Sequence, residues 1–303
     1  MQTSIQLDTD GITSIHATQL IQAADHVRYW HRQPLRASAS QNGAYLSRIK
    51  GRGMEFEESR PYQPGDDVRA LDWKVMARSG RAHTKVFREE REQPILLWVD
   101  LRDNMHFATR RRFKSVAAAE LAAMLAWATH FQGDRLGALL FNNHQHMEIK
   151  PRAGRSAVLQ FINRLVALDN EPITNMHHSN GDNISNALRR LQNVAPTGSR
   201  IYLLSDFYEF NAQHKPLLAR LCAHADVTAI QILDPIERGE LPAGRYRVTD
   251  GNRQAEFVSA SEKVLAPYQN IAALSKQLGL SFLQISTEDD AAQMLRPFWQ
   301  GYR

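Results

Sequence analysis

Ile95-Leu96-Leu97-Trp98-Val99-Asp100 is an unbroken apolar run that ends on a carboxylate. A run this short, apolar at successive positions, is expected of a central parallel strand covered by helices on both faces. The same grammar recurs downstream at Arg135–Phe141, Ile201–Asp206, Val227–Asp234 and Ser281–Ser286. Helical patterns separate these runs. Phe113 to Phe131 carries a buried stripe of Val116, Leu121, Met124, Leu125, Ala128 and Phe131. Others run from Arg155 to about Leu168, from a cap at Asp182 or Asn183 through Leu191, and on to about His224. Two more run from Ser261 to about Leu278 and onward from Asp289. Tyr246 to Val258, turning at Asp250-Gly251-Asn252, predicts a β-hairpin. The alternation predicts a doubly wound α/β fold: a mostly parallel sheet with helices on both faces. Such sheets bind ligands beyond the carboxyl ends of their strands, at the topological switch point. Asp100, Asp206 and Asp234 each end a strand, so two or three carboxylates are expected to converge there.

The N-terminal part follows a different grammar. Thr13 or Ser14 is placed to cap a helix through about Tyr29, with Leu20, Ile21, Ala24, Val27 and Arg28 forming its apolar side. Pro34 to Gly43 is small and polar, as in a linker. Gly51-Arg52-Gly53 then opens a segment centred on Arg60-Pro61-Tyr62-Gln63-Pro64-Gly65-Asp66-Asp67-Val68-Arg69-Ala70-Leu71-Asp72-Trp73-Lys74-Val75-Met76-Ala77-Arg78. Charges, aromatics and turn formers alternate there, in the pattern of neither an ordinary helix nor an ordinary strand. One reading is structural: Asp66, Asp67 and Asp72 pair with Arg60, Arg69, Lys74 and Arg78, and Tyr62 and Trp73 are buried anchors. The other is a docking face of Arg69, Trp73 and Arg78. Ser79-Gly80-Arg81 predicts a tight turn into an extended ribbon from His83 to Arg91. The chain thus divides into an N-terminal segment, 1–92, and an α/β domain, 93–303.

The chain has 303 residues, 43% hydrophobic and 23% charged, as in ordinary soluble globular proteins. Its formal charge of +5 is concentrated in clusters such as Arg110-Arg111-Arg112 and Arg189-Arg190. Such clusters suit a solvated face or an acidic protein partner, with a basic nucleic-acid-binding protein as an alternative. The one cysteine, Cys222, has apolar neighbours at helical spacing, which predicts a core thiol and a reducing compartment, the cytoplasm. Met1 to Asp8 lacks the basic and apolar regions of a signal peptide. The apolar stretch Val116 to Trp127 is too short to span a bilayer and is interrupted by Glu120.

Motifs for phosphate binding (Gly-x-Gly-x-x-Gly after a strand, Gly-x-x-x-x-Gly-Lys-Ser/Thr) are missing, as are a Gly-x-Ser-x-Gly elbow and a His-Glu-x-x-His helix. The pairs His144/His146 and His177/His178 fall in polar stretches and are expected to be solvated. No nucleophile and base stand at a recognisable spacing, so no catalytic residue is expected.

A strand ending in Asp100, with Asp206 after Leu204-Ser205, resembles the metal edge of a von Willebrand factor A domain. The segment Glu55-Phe56, Arg60-Pro61-Tyr62, Pro64-Gly65-Asp66-Asp67-Val68-Arg69, Leu71-Asp72-Trp73-Lys74, Ala77-Arg78 and Phe87-Arg88-Glu89-Glu90-Arg91 resembles the signature of the bacterial family called domain of unknown function 58. That family carries a von Willebrand A-like domain and commonly accompanies MoxR-type AAA+ ATPases. The resemblance covers about residues 45 to 235. It is to the short soluble group of the family, without N-terminal membrane helices. It implies a site for Mg²⁺ or Mn²⁺ at Asp100, Asn104, Asp182 and Asp206. The family loop Asp-x-Ser-x-Ser, however, reads Asp100-Leu101-Arg102-Asp103-Asn104 here, and Asp182 stands where threonine is usual. Arginine cannot coordinate a cation. Arg102 bridging Asp100 with Asp206 or Asp182 would satisfy the carboxylates without an ion, and no cofactor is then expected. The alternative is that Arg102 swings outward and Asp103 joins a metal site. The resemblance implies a non-enzymatic interaction module: an adaptor of a MoxR-type ATPase acting on a client protein, with Arg102 and Asp103 at the partner contact. A metal-dependent hydrolase using the sheet-edge aspartates is the alternative.

Overall fold

The computed structural model describes residues 11–30, 54–89, 92–170, 183–238, 244–249, 254–258 and 270–301. Helix α1 (Ala17–Val27) starts after His16, later than expected, and no side chain caps it; Ser14 Oγ instead lies 2.9 Å from the His16 ring. Leu20, Ala23 and Val27 are buried, and Trp127 Nε1 donates to the Leu20 carbonyl at 2.9 Å. The chain forms two compact units, Met1–Pro34 with Gln93–Arg303, and Leu35–Glu92. The expected 1–92 segment is therefore divided. The apolar stripe of α1 needs a cover, and the helix Lys114–Phe131 supplies it.

In the smaller unit, β1 (Met54–Pro61) pairs antiparallel with β2 (His83–Glu89), with a bulge between Phe56 and Glu58. Between them lie a 3-10 turn, Val68–Ala70, and helix α2 (Trp73–Ser79). The segment expected to be irregular thus holds a capped helix. Its aspartates mostly organise backbone. Asp72 is buried and accepts from the Lys74 and Val75 amides at 3.1 and 3.2 Å, and Asp67 accepts from the Arg69 amide at 2.9 Å. Only Asp66 makes an expected ion pair, at 2.7 Å from Arg60, while also accepting from the Gln63 amide. Gly80, at φ +68°, ends α2 in the left-handed conformation that glycine favours. The expected anchors are corrected: Trp73 is 63% exposed and Tyr62 is half-buried.

The main sheet comprises β3 (Pro94–Asp100), β4 (Arg135–Phe141), β5 (His146–Arg152), β6 (Arg200–Ser205), β7 (Asp226–Leu233) and β10 (Ser281–Ser286). Strands β8 (Arg245–Thr249) and β9 (Gln254–Val258) form the separate expected hairpin, whose turn at 250–252 lies outside the described residues. The strand order is β10-β7-β6-β3-β4-β5, parallel except for β5. The chain winds outward from β3 through β4 and β5, then returns to add β6 on the other side of β3. The switch point therefore falls between β3 and β6.

Strand β5 is not among the expected strands, and His146, expected in a solvated polar stretch, opens it. Met147 and Ile149 alternate with polar residues, as on an edge strand, but Pro151 masks the pattern. A Cβ at Gly137 of β4 would lie 2.9 Å from the Pro151 ring, so glycine admits this close approach.

Successive residues of β3 enter opposite cores. Ile95, Leu97 and Val99 pack with α1, α3 (Lys114–Phe131), α4 (Arg155–Asp169) and α8 (Ala291–Gly301). Leu96 and Trp98 pack with α5 (Asn183–Val194), α6 (Lys215–Cys222) and α7 (Asn270–Leu278). The expected cap Asp182 and the start of the helix expected from Ser261 lie outside the described residues. Helix α3 is buried almost all round instead of along one stripe, because α1 and α8 cover the side away from the sheet; Phe131, at its end, is exposed. Cys222 is half-buried against the second core, and burial pushes its thiol up to about 11. Among the described residues no helix is long and apolar enough to cross a membrane.

Candidate functional site at the sheet switch point

Because β3 and β6 are adjacent and parallel, Asp100 and the residue after Ser205 emerge side by side at their carboxyl ends. Asp100 is buried. Its Oδ1 accepts from the Arg102 amide and from Arg102 Nε, both at 3.0 Å; its Oδ2 accepts from Arg102 Nη2 at 2.8 Å and Ser205 Oγ at 2.6 Å. The remaining guanidinium nitrogen, Nη1, pairs with Glu209. Burial opposes the Arg102 charge, but Asp100 and, more weakly, Glu209 and Asp206 outweigh it, so its pKa is raised. The expected bridge from Arg102 is thus corrected: it joins Asp100 to Glu209, while Lys114 and two amides occupy Asp206. The outward-swung alternative is corrected too, since the Arg102 side chain is 5% exposed. Asp103 is exposed, and its amide donates to Asn143 Oδ1 at 2.8 Å.

Asp206 is equally committed. Asn104 Nδ2 lies 2.9 and 2.8 Å from its two oxygens, and the Tyr208 amide donates to Oδ1 at 3.1 Å. Lys114 Nζ donates to Asp206 Oδ2 and to Glu237 Oε1, each at 2.7 Å. Burial disfavours the Lys114 ammonium, yet Asp206 and Glu237 outweigh it and raise its pKa above the ordinary value. The turn that aims Asp206 is strained. Phe207 is buried at φ +56°, a conformation that costs a non-glycine residue roughly 1–2 kcal/mol. Ser205 Oγ holds it by accepting from the Phe207 amide at 3.0 Å.

Asp234, the third strand-end carboxylate, accepts from the Thr109 amide at 2.8 Å, the Ile236 amide at 3.1 Å and the Thr287 hydroxyl at 3.3 Å. It ties loops together beneath the same edge. Lys114, Glu237, Ser205 and Glu209 were missed by the sequence reading. The available signal was Lys114 itself, a lysine opening an otherwise apolar helix at the end where the helix dipole disfavours a cation.

These groups, as arranged, do not fit a divalent ion. Mg²⁺ demands near-octahedral oxygen ligands at about 2.0–2.1 Å. Here the oxygens of Asp100 and Asp206 already accept from cations, amides and a hydroxyl. Asn104 points an amide N–H at the carboxylate. Asp182, the fourth expected ligand, lies outside the described residues. Among the described residues no group of three or more His, Cys, Asp or Glu is placed to hold a metal.

The rim above this buried network carries exposed Phe107 and Tyr208. Phe107 has its ring centroid 5.8 Å from Lys114 Nζ, and exposed Arg110 and Arg111 follow it in the chain. A separate open cavity of about 580 Å³, lined by residues that include His144, His146, Asn186 and Arg190, lies between β5 and α5. The signature residues Arg60, Tyr62, Gly65, Asp66, Asp67, Arg69, Asp72, Trp73 and Arg78 belong to the smaller unit.

Two curated relatives, Uncharacterized protein Mb1516 of Mycobacterium bovis and Uncharacterized protein Rv1480 of Mycobacterium tuberculosis, are each 32% identical over 194 residues. Each match covers 64% of this chain and 59% of the relative, so the chain spans less than two thirds of their length. Among solved structures, the conserved hypothetical protein BatB from Bacteroides thetaiotaomicron is 11% identical with a TM-score of 0.46, covering 67% of this chain and 95% of that one. An aerotolerance-related membrane protein from Bacteroides fragilis is 10% identical with a TM-score of 0.45, covering 68% and 96%. Residues 58–276 match one family, taking in most of the signature segment and the sheet strands β3 to β9, and the chain belongs to that family, described as protein of unknown function DUF58.

Proposed function

We propose that this protein is a non-enzymatic interaction module that works through the carboxyl edge of its sheet, as an adaptor of a MoxR-type AAA+ ATPase acting on a client protein in the cytoplasm. The observation that carries the reading is the layering of that edge. Asp100, Arg102, Asp206, Lys114 and Glu237 are ion-paired with one another in the interior, and Phe107, Tyr208, Asp103 and Glu209 stand exposed above them. Groups locked in mutual ion pairs are poor nucleophiles and bases, whereas aromatic side chains on a rigid, charged rim are what protein contacts use. A hydrolase built on the same aspartates would need their oxygens for a metal-bound water, and those oxygens are engaged. The ATPase link comes from the family resemblance. A half-buried free thiol, Cys222, suits a reducing compartment.

The test is a pull-down of the full chain against a MoxR-type ATPase from the same genome. Binding should survive chelator, weaken with salt, and fall in Phe107→Ala and Tyr208→Ala, which remove the exposed rings. Binding lost in chelator, or indifferent to both substitutions, would remove this edge as the contact. Turnover of a phosphate or ester substrate by the pure protein would overturn the non-enzymatic reading.

A further inference from the structure

The side chain of Glu209 is 60% exposed, yet its carboxylate is paired with Nη1 of Arg102, the one guanidinium nitrogen that Asp100 leaves free. We infer that Arg102 Nη1 is a carboxylate-binding site and that Glu209 is its resident occupant, displaced when an acidic side chain of a partner docks. This inference rests on the edge being a contact surface, as proposed above, and adds the chemistry of what the surface receives.

The cation is preorganised. Nε and Nη2 are locked on Asp100 at 3.0 and 2.8 Å, and the guanidinium carbon lies 5.9 Å from the Phe141 ring centroid. A rigid guanidinium loses little freedom when it accepts a new partner. Glu209, by contrast, is lightly held. Among the described residues its carboxylate has no hydrogen bond or ion pair except that to Arg102, and its backbone carbonyl accepts one long bond, 3.4 Å, from Asn211 Nδ2. Exchange of one carboxylate for another leaves the charge balance at Arg102 unchanged, and Asp100 keeps its bonds to Nε and Nη2 throughout. That matters because an uncompensated buried charge is strongly destabilising.

The surroundings narrow the ligand further. Among the described residues below the rim, three carboxylates (Asp100, Asp206, Glu237) face two cations (Arg102, Lys114), a balance that disfavours a dianion such as phosphate. One outward nitrogen suits a single carboxylate oxygen. Tyr208 precedes Glu209, and Phe107 covers the Lys114 end of the same network. The fitting partner element is therefore an aspartate or glutamate beside an apolar residue.

The experiment titrates N-acetyl-glutamate amide into the isotope-labelled full chain, following the Arg102 Nε–H and the backbone amides of Tyr208 and Glu209 by NMR. N-acetyl-glutamine amide, of the same shape but uncharged, is the control. Glu209→Gln should bind the charged probe roughly fivefold more tightly than the unsubstituted protein, the scale set by losing one partly exposed ion pair. Arg102→Lys in the Glu209→Gln background keeps a charge over Asp100 but loses the fork, and should return the affinity to or below its starting value. Equal affinity with and without Glu209, an equal response to the uncharged control, or binding undiminished by Arg102→Lys would each overturn the inference. The titration reads Arg102 directly, so its failure is distinct from failure of the ATPase pull-down.

Discussion

Lys114 Nζ stands 2.7 Å from Asp206 Oδ2 and 2.7 Å from Glu237 Oε1, with all three side chains buried. A cation tethered by the first turn of α3 thus joins the carboxyl end of β6 to the loop after β7. Lys114→Met should lower stability by about 3–5 kcal/mol, because it removes the buried cation that Asp206 and Glu237 share. Urea denaturation measures this. Adding Asp206→Asn and Glu237→Gln should restore a substantial part of the loss. A cost below about 1 kcal/mol would mean that water reaches the cluster.

Divalent metal should leave the fold unchanged. A ligand at 100 times its dissociation constant that binds only the native state adds about 2.7 kcal/mol. Thermal unfolding in chelator and in millimolar Mg²⁺ or Mn²⁺ should therefore coincide. Arg102→Ser alone should gain no metal response, since Lys114 and Asn104 remain on Asp206. A rise of many degrees in either protein would contradict the assignment of these oxygens to internal partners.

In the smaller unit the larger side chain should matter less than its neighbour. Trp73→Ala should cost less than about 1 kcal/mol, because the ring is exposed. Asp72→Ala should cost about 1 kcal/mol or more, through loss of the cap on α2. Thermal unfolding of the two variants side by side gives the order, and the reverse order would place the ring in a core.

A pH signature is expected from His106, whose ring lies 2.9 Å from Asp169 Oδ1 and 3.3 Å from the Arg102 carbonyl. Burial opposes protonation, but the hydrogen bond and charge of Asp169 outweigh it and raise the pKa above 6.5. The folded state then holds its proton more tightly than the unfolded chain does. The pair's contribution is fully present below pH 6.5 and is lost as pH rises through the raised folded value. His106→Asn should therefore destabilise most in mild acid and progressively less above neutrality. Denaturation midpoints measured across that range check it, and a gap that widens with pH would refute the pairing.

The sequence by itself determined the α/β architecture. Unbroken apolar runs such as Ile95–Val99 and Ile201–Leu204 are buried on both faces whatever their neighbours, so their pattern survives translation into structure. It also determined that Asp100 and Asp206 meet, because strand ends converge at a switch point. Only the tertiary structure decided how they are satisfied. Arg102 is local to Asp100, so its intrusion was legible, but Lys114 reaches Asp206 across 92 positions and Glu237 across 123. Nothing in a linear pattern records such distances, since a buried lysine and a solvated one look alike until the opposite charge is placed against them. The same holds for Trp73. Its size suggested an anchor, yet the ring stands exposed while Asp72 beside it is buried as the cap of α2, because which side of a short helix is covered is set by packing partners distant in the chain.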